Sequence, residues 1–163
     1  MKGGSSVALD IEEQYDKLYR YCYFKLHHAQ TAEDITQESF LRYWERYHPM
    51  PTSLAIKHLY IIAKNLCIDE YRKQKNLPLD ETIPDAPQEE TLLTQISVQK
   101  ALSALSSEDQ ELVFLRYVNE EPIGTIGKIL GISRFAVYRK LKSASNRFET
   151  ALNKEGFYDS MEK

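Results

Sequence analysis

Apolar residues recur at intervals of three and four along most of the chain, while glycine is scarce and runs of β-branched residues are absent. That is the pattern of amphipathic helices rather than strands. In the N-terminal part it predicts three helices. The first covers residues 9–28. The second follows a capping box, Thr31 with Asp34 three positions on, and continues to about Tyr47. After the segment HPMP, whose prolines interrupt the helix, a third begins at Thr52 or Ser53 and runs to about Lys75, with Leu59, Ile62, Ala63 and Leu66 as its apolar face. The C-terminal part predicts four more helices, over residues 90–105, 107–118, 123–130 and 133–152. Ser106 with Asp109 forms a second capping box, Gly131 suits a helix C-terminus and Ser133 suits the next N-cap. The expected fold class is all-α.

Between the two parts the periodicity stops. The stretch NLPLDETIPDAPQEE, residues 76–90, carries three prolines and few apolar residues, so it reads as a flexible acidic linker. Fully extended, it would reach about 50 Å at roughly 3.3 to 3.6 Å per residue. The expected organisation is therefore a flexible N-terminus (1–8), a helical domain (9–75), the linker (76–90), a second helical domain (91–153) and a C-terminal tail (154–163). Domains of that size can fold by themselves.

Composition narrows the function classes. No run of about 18 apolar residues exists that would span a bilayer, and residues 1–8 lack the apolar core of a secretory signal. A cytoplasmic protein that is not itself a membrane protein is expected. Cys22 and Cys67 sit among apolar or aromatic neighbours with no second Cys or His at metal-ligand spacing, so both are expected to be buried, reduced thiols. No metal site and no cofactor is predicted. The formal net charge of −3 hides a segregation. Residues 122–148 contain Lys128, Arg134, Arg139, Lys140, Lys142 and Arg147 with no acid, and residues 57–75 contain five cations against Asp69 and Glu70. Between them, residues 76–111 set eight acids against Lys100 alone. Two basic segments flanking an acidic one point to nucleic acid more than the total does.

In PIGTIGKILGISRFAVYRKLKSASNRF, residues 122–148, a short helix ends at Gly131, a three-residue turn follows and a second helix begins at Ser133, the layout of a helix-turn-helix. Val137, Leu141, Ala144 and Phe148 share one face and are expected to pack on Ile126, Ile129 and Leu130. The other face then presents Arg134, Phe135, Tyr138, Arg139, Lys142 and Asn146, suited to a major groove. In the third helix, Lys57, Tyr60, Lys64, Ile68, Tyr71 and Lys75 form a stripe in which lysines can follow phosphates while aromatic rings stack on unpaired bases. The second helix is two-sided. Phe40, Tyr43, Trp44 and Tyr47 gather on one face, and Asp34, Glu38, Leu41 and Glu45 on the other with Gln37 nearby. An acidic face is wrong for DNA and points to a protein partner.

Three segments then resemble one family, the extracytoplasmic-function (ECF) sigma factors of the sigma-70 family. The pattern AED-x-x-QE-x-F-x-x-x-W is similar to Ala32, Glu33, Asp34, Gln37, Glu38, Phe40 and Trp44. The pattern I-A-(R/K)-N-x-x-x-D-x-x-R resembles Ile62, Ala63, Lys64, Asn65, Asp69 and Arg72. A third, I-x-x-I-L-G-I-S-x-x-x-V-x-x-x-L-x-x-A, is met by Ile126, Ile129, Leu130, Gly131, Ile132, Ser133, Val137, Leu141 and Ala144. The resemblance implies a region 2 domain over 9–75 and a region 4 domain over 91–153. It implies that Asp34, Gln37, Glu38 and Leu41 bind core RNA polymerase. It implies that Lys57, Tyr60, Lys64, Asn65, Tyr71 and Arg72 take part in opening and capturing the minus-ten element. Arg134, Phe135, Tyr138, Arg139, Lys142 and Asn146 would read the minus-thirty-five element of promoter DNA. It further implies an anti-sigma factor, often membrane-bound in this family, that hides the second-helix face, although closure of the two domains on each other would hide the same face. His58 stands where the family commonly has Trp, Gly127 where it has Ala, and Phe135 and Ala136 where it has Gly and Thr. An autonomous helix-turn-helix regulator is the alternative, but the last helix shows no heptad seam for dimerisation. An enzyme would need a nucleophile with a base, a phosphate-cradling loop or a metal cluster, and the sequence offers none.

Overall fold

A computed structural model of the protein describes residues 10–75 and 100–154. The expectations for residues 1–8, for the linker 76–90, for the start of the helix over 90–105 and for residues 155–163 lie outside the described residues. Those that are described fall into two compact units, residues 10–75 and 100–154, and every regular element in them is helical.

The first unit consists of α1 (Ile11–Leu26), α2 (Ala29–Arg46) and α3 (Thr52–Lys75). Asp10 caps α1, its carboxylate accepting from the Glu13 N–H at 3.1 Å, and Glu12 and Glu13 in the first turn complement the helix dipole. The helix ends two residues before the expected His28, because His27 turns left-handed (φ 57°) and donates its N–H to the Tyr23 carbonyl at 2.7 Å. The start of α2 also differs from expectation. Thr31 and Asp34 do not open the helix. It begins at Ala29, and His28 is the cap: its Nδ1 accepts the Thr31 N–H at 3.3 Å and lies 3.0 Å from the Thr31 hydroxyl. Imidazole Nδ1 stands as far from the backbone as the side-chain oxygen of Asn, so an unprotonated ring can satisfy the same orphan donor.

Inside this unit, α2 contributes Ala32, Ile35, Thr36, Ser39, Phe40 and Tyr43, one continuous stripe at helical spacing. The buried hydroxyls of Thr36 and Ser39 donate to the carbonyls four residues back, Ala32 and Ile35, both at 2.7 Å, so these two polar groups are satisfied within the helix. From α3 come Ala55, Leu59, Tyr60, Ala63 and Cys67, and from α1 Leu18, Tyr21 and Cys22. The inward face of α3 is thus rotated from the predicted one: Leu59 and Ala63 are buried, but Ile62 and Leu66 are only half-buried. Tyr60 replaces them, packed edge-on against Tyr21 with centroids 5.3 Å apart and planes at 89°.

In the second unit, residues 100–103 are helical, and α4 (Ser107–Val113) opens on the predicted cap, with the Asp109 N–H donating to Ser106 Oγ at 3.1 Å. The helix expected to continue unbroken to Val118 widens instead into a π turn, Phe114–Val118, closed by the Asn119 N–H on the Phe114 carbonyl five residues back at 3.1 Å. Then come α5 (Ile123–Leu130) and α6 (Arg134–Lys154), the latter running two residues beyond the expected end. Leu105, Val113 and Ala144 form a core cluster, against which Leu102 and Phe148 pack.

Candidate nucleic-acid and protein interfaces

The geometry between α5 and α6 follows from three residues. Gly131 terminates α5 in the left-handed region (φ 73°), which a residue without Cβ adopts freely. Its N–H and that of Ile132 both bond the Gly127 carbonyl, the latter at 2.9 Å, and Ser133 Oγ accepts the Ala136 N–H at 3.1 Å to start α6. The turn is tight at residue 127, where a Cβ would stand 2.8 Å from the Ile132 carbonyl oxygen, so that the backbone would have to shift to admit one. Val137, Leu141 and Ala144 are buried as predicted, with Ile126 and Ile129 from α5, whereas Leu130 and Phe148 are half-buried.

This fixes which face of α6 points outward. Arg134, Phe135, Tyr138, Arg139, Lys142 and Asn146 are all exposed, Phe135 at 78% and Tyr138 at 60%. Arg134 folds back, its guanidinium 3.4 Å from where a Cβ on Gly124 would sit. Arg147 is not on this face, being ion-paired with Asp109 of α4. The exposed Tyr117 of the π turn joins the flank of α6, its hydroxyl 3.4 Å from Ser145 Oγ.

On the outer side of α2, Asp34, Gln37, Leu41 and Glu45 are exposed, Leu41 at 57%. Asp34 accepts from Gln30 Nε2 at 3.0 Å, and the half-buried Glu38 pairs with Arg42 at 2.8 Å. Glu33 accepts from Gln37 Nε2 at 3.3 Å and from the Tyr15 hydroxyl. Burial first, and then that bond to a carboxylate, push the Tyr15 hydroxyl up to about 12, so it stays a donor throughout the neutral range. Asp34, Gln37 and Glu38 of the acidic face thus each bond a neighbour four residues away on α2.

On α3, Asn65, Tyr71 and Arg72 are exposed and Lys57 and Lys64 half-buried, while Lys75 Nζ lies 5.5 Å from the centroid of the Tyr71 ring. Tyr60 departs from the predicted stripe: at 1% exposure its ring belongs to the core and is not available to stack on a base. A second aromatic group stands at the α2–α3 connection. Trp44, expected on one face with Phe40, Tyr43 and Tyr47, is 42% exposed and lies on His48 with centroids 3.8 Å apart. His58, in the family's Trp position, stacks nearly parallel on Tyr47 at 4.3 Å and 15°.

Comparison with known proteins agrees with both units. The family model for Sigma-70 region 2 matches residues 11–77, and that for the helix-turn-helix domain of resolvase matches residues 102–144. The ECF RNA polymerase sigma factor SigW of Bacillus subtilis is 29% identical over 94% of this chain and 91% of its own. The chain belongs to the ECF sigma factors of the sigma-70 family. The RNA polymerase sigma factor YlaC of the same organism is 27% identical over 88% of this sigma factor and 90% of its own length. The fold is similar to that of the sigma factor RpoE of Bartonella quintana, solved in complex with the anti-sigma factor NepR, with a TM-score of 0.64 at 18% identity over 88% of this chain and 94% of that one. Sigma factors are DNA-binding transcription regulators rather than enzymes.

Among the described residues of this sigma factor, no helix is long and apolar enough to cross a membrane, and no group of three His, Cys, Asp or Glu side chains is placed to hold a metal ion. Of the exposed Trp44, His48 and Tyr117, helical periodicity placed only Trp44, on the aromatic face of α2, and nothing in the sequence marked His48 or Tyr117. Cys22 and Cys67 are buried thiols outside any disulfide, as expected, and they also lie together: hydrogen bonding to Cys67 draws the Cys22 thiol below its ordinary value.

Proposed function

We propose that this sigma factor directs core RNA polymerase to a particular set of promoters, where it recognises the promoter, melts the DNA and initiates transcription. The observation that carries this reading is the pair of opposed surfaces within one chain. One helix, α2, turns an acidic face with Leu41 at its centre to the outside, and another, α6, turns out a basic and aromatic face with no exposed acid along its first three turns. The first repels nucleic acid and suits a protein, whereas the second attracts phosphate.

In this reading Asp34, Gln37, Glu38 and Leu41 dock on polymerase. Lys57, Lys64, Asn65, Tyr71 and Arg72 follow the opened minus-ten strand. Arg134, Phe135, Tyr138, Arg139, Lys142 and Asn146 meet the minus-thirty-five duplex. Residues 9–75 and 91–153 serve as the two DNA-engaging domains, joined by the acidic linker 76–90. The protein acts in the cytoplasm with its polymerase. An anti-sigma factor, of the kind that RpoE of Bartonella quintana has in NepR, would restrain it by covering the α2 face.

The test is capture of core polymerase by the full chain, followed by transcription from a promoter library. Exchanging Asp34 and Glu38 for Lys should weaken capture about tenfold or more with helicity unchanged, since losing the half-buried Glu38–Arg42 pair at i,i+4 costs the helix only about 0.5 kcal/mol. Undiminished capture would remove α2 from the docking surface. A chain that captures no polymerase at all would refute the function.

A further inference from the structure

Phe135 is the most exposed of the large apolar side chains among the described residues, and it occupies the second position of α6. Isolated exposed apolar residues are common and need no explanation. This one is not isolated. Tyr138, 60% exposed, follows three residues later, and Arg139 and Lys142 are exposed on the same helix, with Arg134 at its start. The first turn of the second helix of a helix-turn-helix is the part that comes within reach of base edges. A benzyl side chain there has no hydrogen bond to offer to any base. The major-groove edge is a row of donors and acceptors with one apolar group, the C5-methyl of thymine.

We propose that Phe135 is a specificity-determining residue that selects thymine in the minus-thirty-five duplex through its C5-methyl, with Tyr138 closing the side of the same contact. The proposal rests on the promoter-reading function above and adds to it the chemistry of one position. The cations on either side hold the phosphates and bring the helix down to the groove floor, but they do not distinguish thymine from cytosine by its methyl. Phe135 does, because covering that methyl removes apolar surface from water on both partners. The effect of one buried methyl is about fourfold in affinity. The positive surroundings favour a nucleic-acid occupant over an apolar protein groove, since residues 122–148 contain no acid to offset them.

The test uses holoenzyme assembled from core polymerase and the full chain, on a promoter taken from the library. Each minus-thirty-five thymine is replaced in turn by deoxyuridine, which deletes only the methyl, and Phe135→Ala is examined on the same duplexes. The expected result is one or two positions where deoxyuridine weakens binding by about threefold to tenfold. Phe135→Ala should weaken the thymine duplex by a similar factor and be indifferent to deoxyuridine there, while Phe135→Leu retains part of the discrimination. Equal losses for Phe135→Ala on thymine and deoxyuridine duplexes would overturn the proposal. So would a variant whose only defect is capture of a protein partner. Wild-type holoenzyme that selects promoters yet ignores deoxyuridine at every position refutes this inference alone, whereas failure to select any promoter refutes the function on which it rests.

Discussion

Replacing Gly127 by Ala should destabilise the second unit even though alanine is the better helix former. In the middle of a helix the exchange gains about 1 kcal/mol of propensity. Against this, the new Cβ would stand 2.8 Å from the Ile132 carbonyl oxygen, and ordinary contact begins at 3.4 Å, so the two must part by about 0.6 Å. The obstacle is backbone and has no rotamer to change. Moreover, it lies in the turn that hands the chain from Gly131 to the Ser133 cap, with Val137 Cγ2 at 3.7 Å on the other side. Overpacking of this kind costs about 1–3 kcal/mol, which leaves a net loss of about 1 kcal/mol. Gly131 makes the contrast. A Cβ there meets nothing within 4 Å, so Gly131→Ala is penalised only for its φ of +73°, about 1 kcal/mol, and Gly131→Asn less, because Asn tolerates that region. Urea denaturation of the full chain followed by circular dichroism measures all three. A Gly127→Ala protein as stable as the parent, with unchanged m-value and unchanged promoter affinity, would show that the turn relaxes without cost and that the close approach does not set the position of α6.

On α6, Lys142→Ala should weaken binding to every duplex and lower the salt slope by about one unit, as for a phosphate contact. Arg139→Ala should instead relax discrimination at one or two base pairs by about 1–3 kcal/mol; equal losses on all sequences would deny it a reading role. Tyr15 supplies a pH dependence. Its hydroxyl is held up to about 12 in the folded chain against 10.0 unfolded, so its contribution is complete below pH 10 and is lost as pH climbs towards 12. Denaturant melts between pH 8 and pH 11, chosen as about the range that spans the ordinary tyrosine value, should show stability falling at the alkaline end. Tyr15→Phe should flatten part of that fall, with buried Tyr43, also raised, supplying the rest. An identical alkaline fall in Tyr15→Phe would rule the group out.

What was legible in the sequence was local chemistry. Ser106, Gly131 and Ser133 behave as their residue types dictate, and the outward face of α6 follows once Val137, Leu141 and Ala144 are assigned to the core. The start of α2 was misread because Thr31 and Asp34 imitate a cap while His28, which seldom caps, does so here. Periodicity placed Tyr60 outside and Ile62 and Leu66 inside because it counts Tyr as half polar. In the folded unit its ring fills the space beside Tyr21, and that contact lies far away in sequence. The π turn adds one residue to a helical turn without altering composition, so nothing in the string of letters announces it. The meeting of Cys22 with Cys67 is likewise a product of how α1 and α3 pack.

Under the proposed function, the inner stripe of α2 bears on how partners would be received on its outer side. Because Ala32, Ile35, Thr36, Ser39, Phe40 and Tyr43 anchor nearly every turn of the helix, its backbone would have little freedom to lose when something settles on Asp34, Gln37 and Leu41. Only side-chain rotations remain to be stilled, at about 0.5–1.5 kcal/mol each. A surface of this kind has one shape to offer. Two proteins that need it cannot divide it by remodelling it, so their competition reduces to concentration and affinity, and whichever leaves more slowly holds the helix.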